Sequence, residues 1–558
     1  MACGTGKTLV ALWTAERMGC QKILVLVPAL ALLRQTLHEW LRETHWERVS
    51  YLCVFSDPTV ERDVDDLIVR QSDMDFPVST YSETVREFLV QEFDGVKVVF
   101  STYQSSPVVA GGMNKANPFE LGIFDEAHKT AGREGAKFSF ALKNENLPIR
   151  KRLFMTATPR HYDVRKKDKE GDSKIVYSMD VPEVYGPVAY KLWFAEAADR
   201  DIVCNYKVII SIVTSKMVND ELLRRGEVLI DGDPVKARHV ANQIALEKAI
   251  ERHDVKKIFT FHRTVASAKS FTRPGSEGIS NHLPNFEGYH VSGVMPTAKR
   301  DQFMTAFRKA ENAVMSNARC LTEGVDVPAV DMVAFLTPKR SRIDIVQATG
   351  RAMRKETGKT TGYVLVPLFV EQATGESVKE AIERTEFDEV WNVLQAMQEQ
   401  DDVLVDIIRQ IREERGRSGG FDDSRFRERV EFFGPEVSLD TLRNSITTKC
   451  VERLGSTWDE RYGELKAFWE LYGHCNVPKR WSENRKLTIW VKSQRVLRRK
   501  GQLSKVRIQR LEDMGFVWDL SPPAWENTFS SLGILIFFSY MIFVFQIPFT
   551  QFYTLFLC

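Results

Sequence analysis

The sequence has no two cysteines at the Cys-x-x-Cys spacing, although it contains eight cysteines in 558 residues. Each stands alone in the chain: Cys3, Cys20, Cys53, Cys204, Cys320, Cys450, Cys475 and Cys558. This spacing supports neither a zinc ribbon nor a disulfide framework. A signal peptide and long low-complexity tracts are also lacking, so we expect a folded, reduced, intracellular protein, cytoplasmic or nuclear.

An excess of charge of one sign is lacking too, since 77 Lys and Arg stand against 75 Asp and Glu. The balance is uneven along the chain, because residues 458–519 contain fourteen Lys and Arg but eight Asp and Glu. That segment carries a net charge of +6 against +2 for the whole chain, which leaves −4 for the remainder. A local positive charge of this kind indicates an anionic partner, for which nucleic acid is the best candidate.

Charged residues are absent from Asn527 to Cys558, and Leu532–Phe545 is almost wholly apolar or aromatic. The stretch is long enough to cross a bilayer, for which about 20 residues suffice. A membrane anchor and translated noncoding sequence are the two interpretations. We favour the second, because Gln546 and Pro548 interrupt the stretch and no Lys or Arg flanks it. A membrane partner is therefore not expected unless this tail is genuine.

Short apolar runs alternate with amphipathic segments over the first two thirds of the chain. They predict strands at Ile23–Val27, Val98–Ser101, Gly122–Phe124, Arg152–Met155, Val208–Val213, Lys257–Phe261, Gly288–Val291, Met332–Leu336 and Thr361–Val366. Such alternation is typical of parallel sheets that are covered on both faces. We therefore predict an α/β protein with two doubly wound parallel-sheet lobes, followed by a small three-helix domain.

The expected domains follow from these patterns. They are a first lobe at 1–160, a linker at 161–205, a second lobe at 206–370, a helical connector at 371–457, a three-helix domain at 458–520 and the apolar tail at 521–558.

A glycine-rich loop opens the chain. Gly4-Thr5-Gly6-Lys7-Thr8 leads directly into the helix-forming run Leu9–Trp13. Glycines let backbone N–H groups approach phosphate oxygens at the positive end of a helix. In such a loop Lys7 would reach the β- and γ-phosphates, and the Thr8 hydroxyl would bind Mg²⁺. A strand normally precedes such a loop, so we expect that the N-terminus is truncated.

An acidic pair follows the apolar run Leu121–Phe124, in the sequence Asp125-Glu126-Ala127-His128. A carboxylate at the tip of a buried strand beside a phosphate loop is suited to Mg²⁺, which indicates this role for Asp125. Glu126 would then orient and deprotonate the attacking water. An ordinary acidic turn is the alternative, and the phosphate loop upstream argues against it.

These two motifs resemble motifs I and II of the DEAH-box helicases of superfamily 2. The segments that resemble further helicase motifs follow in order: Pro28–Gln35, Ser101–Gln104, Thr156–Pro159, Phe261–Arg263, Asn317–Asp326 and Gln347–Arg354. The segment Pro338–Gln347 is similar to the restriction-enzyme branch, the type III Res subunits. The resemblance covers roughly residues 1 to 370.

The resemblance implies two RecA-like lobes with ATP and Mg²⁺ in the cleft between them. It implies that Arg351 and Arg354 act as arginine fingers and that Gln347 belongs to the same catalytic group. Its further assignments are nucleotide binding by Gly4, Thr5, Gly6, Lys7, Thr8, Gly324 and Asp326, nucleic-acid contacts by Gln35, Thr102 and Thr322, and coupling by His128, Thr156 and Thr158.

Residues 458–520 show apolar and aromatic residues at helical spacing, which predicts three helices with the aromatic side chains in their core. No Asp or Glu occurs between Glu483 and Glu512, and this gap predicts a phosphate-binding surface. Its candidate residues are Lys492, Arg495, Arg498, Arg499 and Lys500. The segments Trp458–Tyr462, Gly473–Pro478 and Leu511–Trp518 closely resemble the helicase-associated domain, which implies nucleic-acid binding.

The sequence therefore predicts an ATP-dependent helicase or translocase that acts on nucleic acid, with DNA favoured. An RNA helicase of the same fold is the first alternative, since we identify no residue that reads a 2′-hydroxyl. A non-catalytic nucleic-acid-binding remnant is the second, because the phosphate loop has no leading strand in this sequence. The oligomeric state is not predicted.

Overall fold

The computed structural model of the chain describes residues 1–519 except for some internal segments. These exceptions are 56–77, 115, 134–137, 161–175, 225–233, 275–277, 294, 319–329, 338–341, 374, 378–379, 382–384, 386, 421 and 435–438. The apolar tail thus lies outside the described residues. The chain forms two compact units, one of residues 1–409 with 422–455 and one of residues 410–421 with the chain from Ser456 onward.

The first lobe consists of one parallel sheet with helices on both faces. Its elements are α1 (Lys7–Arg17), β1 (Lys22–Val27), α2 (Leu30–Glu43), β2 (Val49–Val54), β3 (Val78–Ser79), α3 (Ser82–Val90), β4 (Val96–Thr102), α4 (Ser106–Gly112), β5 (Phe119–Phe124), β6 (Gly132–Arg133), β7 (Ile149–Phe154) and β8 (Val176–Tyr177). The order in the sheet is β3-β2-β4-β1-β5-β7, with every pair parallel. Strands β6 and β8 form a separate antiparallel pair.

The central strand β1 explains why both faces of this sheet are covered. Its side chains alternate between two cores, because successive residues of a strand point to opposite faces. Ile23, Val25 and Val27 pack with residues of α1 and α2, whereas Leu24 and Leu26 pack on the other face with residues of α4 and β5. An uninterrupted apolar strand is what a sheet buried on both faces requires.

The second lobe also consists of a parallel sheet with helices on its faces. Its elements, with the segment before and after, are α5 (Pro182–Tyr185), α6 (Phe194–Asp199), β9 (Asn205–Thr214), α7 (Ser215–Arg224), α8 (Pro234–His253), β10 (Lys257–Phe261), α9 (Val265–Phe271), β11 (Glu287–His290), α10 (Thr297–Lys309), β12 (Ala313–Asn317), β13 (Met332–Phe335), α11 (Arg342–Ala352), β14 (Thr361–Val370), α12 (Asp388–Gln398), α13 (Asp402–Ser418), α14 (Ser424–Arg429), β15 (Val430–Phe433) and α15 (Leu439–Leu454). The seven-stranded sheet has the order β11-β12-β10-β13-β14-β9-β15, and every pair is parallel.

The predicted fold class, with two parallel-sheet α/β lobes and a helical C-terminal part, is confirmed. All nine predicted strands are present, with bounds that differ by a few residues. Strands β2, β3, β12 and β15 of these sheets were not predicted from the sequence. Strand β15 is informative, because it lies in the segment expected to be a helical connector and instead extends the second sheet beside β9.

The C-terminal module contains the three predicted helices, α16 (Thr457–Tyr472), α17 (Arg485–Arg499) and α18 (Lys505–Asp513). The side chains of Ser456, Asn484 and Ser504 each cap one of these helices by accepting a backbone N–H bond. Gly473 ends α16 with a φ of 74°, a conformation that glycine adopts at low cost. No helix in the described part of the whole chain is long and apolar enough to span a membrane.

The aromatic residues of this module divide between its core and its surface. Trp458, Tyr462 and Phe468 are buried, as the sequence analysis expected. Trp469 and Tyr472 are instead 44% and 47% exposed. They follow the same helical spacing, so that spacing alone does not separate the two groups.

Candidate active site

The predicted site residues of the first lobe gather at one edge of its sheet. Strands β1, β4, β5 and β7 run parallel, so their carboxyl ends meet at the same edge. The segments that follow these ends are those that the sequence analysis singled out: Pro28–Gln35, Ser101–Gln104, Asp125–His128 and Thr156–Pro159. Loops at the carboxyl edge of a parallel sheet are where such folds bind ligands.

The glycine-rich loop turns sharply before helix α1. Gly4 and Gly6 have φ values of 79° and 77°, in the left-handed region that favours glycine. Gly6 is the N-cap of α1, and its carbonyl accepts from the N–H groups of Leu9 and Val10. Lys7 is the first helical residue, so its side chain starts at the positive end of the helix. This local geometry is that of a phosphate-binding loop.

Lys7 is half-buried beside the acidic pair. Burial disfavours its charged form, but the neighbouring Cys3, Glu126 and Asp125 raise the pKa of Lys7 above its ordinary value. Its ammonium also donates to the Ala2 carbonyl at 3.3 Å. A half-buried cation next to two carboxyls is an arrangement in which each charge favours the ionised form of the other.

The two adjacent carboxyls have opposite pKa shifts. Burial and the charge of Glu126 raise the pKa of Asp125 to about 7. Burial also acts to raise the pKa of Glu126, but the hydrogen bond from His128 and the charge of Lys7 lower it to about 2. Glu126 is therefore the more fully ionised carboxyl of the pair at neutral pH.

His128 connects the acidic pair to the segment after β7. The ring is fully buried, and its Nδ1 lies 3.3 Å from Glu126 Oε2. The same nitrogen lies 3.0 Å from Thr156 Oγ1 and 3.3 Å from Thr158 Oγ1. Both hydroxyls that were expected to couple the lobes therefore meet the histidine that was expected to act with them.

The second lobe reaches this site through helix α11. A Cβ added to Gly350 would stand 2.5 Å from Cys3 Cβ, so glycine permits the close approach of α11 to the loop. A Cβ at Gly4 would stand 3.3 Å from the Gly350 carbonyl oxygen and 4.0 Å from Arg354 Cγ. Gln347 Nε2 lies 3.5 Å from Glu126 Oε1, at the limit of a hydrogen bond.

Arg351 and Arg354 extend from the same end of α11. Arg351 is buried, with 8% of its surface exposed, and its charge acts on the Cys3 thiol. Arg354 is half-buried. Gln347, Arg351 and Arg354 thus lie on the side of the second lobe that faces the loop and the acidic pair.

The residues present fit a magnesium nucleotide. Asp125 and Thr8 supply carboxylate and hydroxyl oxygens, the donors that Mg²⁺ prefers. The Asp125 carboxyl is buried, and its Oδ1 accepts a hydrogen bond from the backbone N–H of Glu126 at 2.9 Å. The loop supplies the glycines and the lysine that triphosphate binding needs.

The expected nucleic-acid contacts of the lobes are less accessible than the sequence suggested. Thr102 is buried, and its hydroxyl lies 2.9 Å from the Ser105 hydroxyl. Gln35 is half-buried and donates to Glu39 at 2.7 Å. Thr322, together with the expected nucleotide ligands Gly324 and Asp326, lies outside the described residues. Their roles stay predictions.

The basic residues of the C-terminal module fall into two groups. Arg495 donates to the Val517 carbonyl at 2.9 Å, and Arg498 forms an ion pair with Glu512 at 3.0 Å. Each also lies over an aromatic ring of the same module, Phe516 and Trp518 respectively. In contrast, Lys492, Arg499 and Lys500 are exposed.

Several residues that contact the site were not predicted. Tyr103 is fully buried and donates to the Asp125 carbonyl at 2.7 Å, and Trp40 Nε1 donates to the Thr8 carbonyl at 3.0 Å. Gln400 donates to the Ala157 carbonyl at 2.7 Å. Tyr103 stands in the segment Ser101–Gln104, which resembles a helicase motif, so the sequence could have identified it. Trp40 and Gln400 carry no such signal, because their contacts depend on the tertiary fold.

Three protein-family models match the chain. The model described as the res subunit of type III restriction enzymes matches residues 1–161. The helicase conserved C-terminal domain matches residues 241–356, and the helicase associated domain matches residues 455–519. Together these matches include the glycine-rich loop, the acidic pair, α11 and the C-terminal module.

Individual proteins similar to the chain agree with these matches. A protein of African swine fever virus, described as a probable helicase, is 27% identical over 378 residues, 66% of this chain and 38% of the viral protein. The ATP-dependent Type ISP restriction-modification enzyme LlaBIII bound to DNA aligns at a TM-score of 0.65 with 25% identity, over 89% of this chain and 34% of that one. A nuclease-deletion mutant of the Type ISP enzyme LlaGI with a DNA substrate mimic aligns at 0.52 with 21% identity, over 93% and 38%.

The chain thus spans 38% of the length of the curated relative and 34% of the solved structure described first. The similarity to LlaBIII extends beyond the two lobes, since 89% of this chain is covered. The similarity to LlaGI, at 21% identity, bears on the fold.

Proposed function

We propose that the chain is a nucleic-acid-dependent ATPase that moves along DNA or separates its strands. The proposal proceeds from its family, the superfamily 2 helicases of the restriction-enzyme Res-subunit type, here with a helicase-associated domain. One observation carries this proposal. Lys7, Asp125 and Glu126 form a largely buried group at the edge of the first sheet, and Gln347 of the second lobe reaches the same group.

In this proposal the loop binds the triphosphate. The glycines at 4 and 6 let backbone N–H groups approach phosphate oxygens, and Lys7 places a half-buried positive charge at the same point. Thr8 and Asp125 would hold Mg²⁺. When bound, this ion neutralises charge that develops on the phosphate oxygens.

Glu126 is the proposed general base. Its lowered pKa keeps the carboxylate ionised, and its Oε2 lies 3.3 Å from His128 Nδ1. A carboxylate within one hydrogen bond of a water molecule can orient that water and accept its proton. Asp125 is assigned to Mg²⁺ in this proposal and is therefore not the proposed base.

Arg351 and Arg354 are proposed to stabilise the negative charge of the transferring phosphoryl group. Arginine fingers contribute about 10³–10⁵ to the rate in phosphoryl transfer. Both residues follow Gly350, whose lack of a side chain lets α11 approach the loop. Their position therefore depends on lobe closure, which would make hydrolysis sensitive to the track that holds the lobes together.

The proposed nucleic-acid surface of the C-terminal module is one face of α17. Arg485, Lys492 and Arg499 are exposed and stand seven residues apart, which is about 10 Å along a helix. Exposed aliphatic side chains, Ile489 at 61% and Val496 at 37%, lie between them on the same face. Regularly spaced cations suit a phosphate backbone, which gives binding without base specificity. DNA is favoured as the track because the similar enzyme LlaBIII was solved bound to DNA.

The proposal is tested by ATP hydrolysis with and without single-stranded DNA, double-stranded DNA and RNA. Lys7→Ala is expected to abolish stimulated hydrolysis, and Glu126→Gln to lower it about 10²–10⁴-fold through loss of the base. Lys151→Ala and Glu145→Gln are matched controls, because both residues are exposed on the same lobe. If RNA alone stimulates hydrolysis, the proposed track is RNA and not DNA. Equal hydrolysis by wild type and Lys7→Ala would refute the ATPase proposal.

A further inference from the structure

Gln400 makes a buried hydrogen bond to the segment that follows strand β7. Its side chain amide donates to the Ala157 carbonyl at 2.7 Å, and the residue is 3% exposed. The backbone carbonyl of Gln400 accepts a hydrogen bond from the Phe194 N–H at 2.9 Å. A buried amide that meets a backbone carbonyl at this distance is a directional contact, and losing it leaves the carbonyl unpaired.

This hydrogen bond joins the second lobe to the first. Gln400 follows helix α12, which packs against α11 and β14 of the second lobe. Glu399, the residue before Gln400, pairs with Arg342 of α11, and Glu389 of α12 pairs with Arg238 of α8. Ala157, in contrast, belongs to the segment that follows β7, a strand of the sheet of the first lobe. Opening of the cleft between the lobes would therefore break the contact.

The backbone at Gln400 is held by its neighbour Asp401. Asp401 is fully buried and caps helix α13 by accepting from the N–H groups of Val403 at 2.9 Å and Leu404 at 3.2 Å. Its other oxygen accepts from the Tyr206 hydroxyl at 2.6 Å. Tyr206 stands near the start of β9 in the second sheet, so Gln400 is fixed to that lobe on both sides.

A short series of contacts leads from Ala157 to the proposed base. Ala157 stands between Thr156 and Thr158, whose hydroxyls lie 3.0 Å and 3.3 Å from His128 Nδ1. The same nitrogen lies 3.3 Å from Glu126 Oε2. The position of the Ala157 carbonyl therefore determines where the two hydroxyls meet the histidine, and through it where the carboxylate stands.

We infer that Gln400 is a positioning residue, which places the segment 156–158, and hence His128 and Glu126, when the lobes close. The inference rests on the proposed ATPase function. It adds a contact from outside the helicase motifs, in a part of the chain that the sequence analysis expected to be a connector. Gln400 touches neither the glycine-rich loop nor the acidic pair, so it acts on turnover and leaves nucleotide binding unchanged.

The test compares Gln400→Met with Gln243→Met in the full chain. Methionine keeps the length of the side chain and removes the donor. Gln243 is a matched control, because it is also fully buried in the second lobe and lies 3.2 Å from His239 of the same helix. For Gln400→Met we expect kcat to fall about tenfold, the worth of one buried hydrogen bond, and KM for ATP to stay within twofold.

Hydrogen exchange at residues 127–128 and 155–158 provides a readout that needs no turnover. Gln400→Met is expected to speed exchange there, and Gln243→Met to leave it unchanged. Gln400→Asn keeps the amide but holds it one methylene farther away, so its kcat should lie between those of wild type and Gln400→Met. This variant also serves as the test if Gln400→Met does not fold.

The outcomes separate this inference from the proposed function. If wild type hydrolyses ATP and Gln400→Met has the same kcat and exchange, the positioning role is wrong and the ATPase proposal stands. If kcat falls equally in both methionine variants, the effect is general loss of packing and the inference is overturned. If wild type does not exceed Lys7→Ala in hydrolysis, the exchange at 155–158 alone decides, and unchanged exchange overturns the inference.

Discussion

Gly463 of the C-terminal module is predicted to tolerate no side chain, although it lies within helix α16. A Cβ added there would stand 1.9 Å from the Glu413 carbonyl oxygen, and one added to Gly416 would stand 2.0 Å from the Glu460 carbonyl oxygen. The second half of α13 and the first half of α16 therefore touch backbone to backbone at two reciprocal positions. Gly463→Ala tests how much this contact contributes to the stability of the module.

Two opposing effects set the magnitude. In an exposed helix Gly→Ala stabilises by about 1 kcal/mol, because alanine has the better helix propensity. Here the carbon and oxygen would be more than 1 Å closer than an ordinary contact of about 3.3 Å. Overpacking of this kind costs about 1–3 kcal/mol or more, since the helices must separate. Separation would also disturb Glu413, which pairs with Arg510 and, at 3.5 Å, with Lys466.

We therefore expect Gly463→Ala to lower the free energy of unfolding of this module by about 1–3 kcal/mol. Hydrogen exchange of the α16 amides in the full chain measures the effect locally. Gly420→Ala is the matched control, because a Cβ at Gly420 would have no atom within 4 Å. Slower exchange in Gly463→Ala than in wild type would mean that propensity prevails, and the close helix contact would be refuted.

Two further predictions concern charge. The pKa of His262 is lowered to about 3 by burial and by His239 and His290, so its neutral form stabilises the fold above pH 6.5, and stability is lost as pH falls from 6.5 towards 3. Wild type should lose about 2 kcal/mol more between pH 7 and pH 5 than His262→Gln in urea unfolding, and equal losses would show that the ring is solvated. Replacing Arg485, Lys492 and Arg499 with alanine should lower the slope of log affinity for duplex DNA against log salt by about 2.7, whereas an unchanged slope would assign binding to another surface.

The strands were predictable where the chain is buried on both faces. Strand β1 is a continuous apolar run, and it lies where the sequence placed it. Strand β2 was missed because four of its six residues are only partly buried, so its apolar pattern is interrupted. Strand β15 was missed for another reason, since it pairs with β9 more than two hundred residues earlier. Local periodicity carries no information about such a distant partner.

The site shows the same division. The glycine-rich loop and the acidic pair are local motifs, and their chemistry can be read from a few adjacent residues. The contact of Gln400 with Ala157 spans 243 residues and involves a backbone carbonyl, which any residue offers. Counting charges along α17 likewise did not reveal the ion pair of Arg498, because its partner Glu512 is close only in the folded module. Residues whose own side chains carry out chemistry are thus easier to identify from sequence than residues that position other side chains.

The acidic pair illustrates how such holding decides function. Asp125 and Glu126 are adjacent and both largely shielded from solvent, yet the pKa of Asp125 is raised to about 7 while that of Glu126 is lowered to about 2. Burial acts in the same direction on both, so it cannot cause the difference. His128 can, because its ring meets Glu126 and is itself held by the Thr156 and Thr158 hydroxyls. In the proposed mechanism the carboxylate that accepts the proton is thus positioned through the segment after β7, which is the segment that Gln400 contacts from the second lobe.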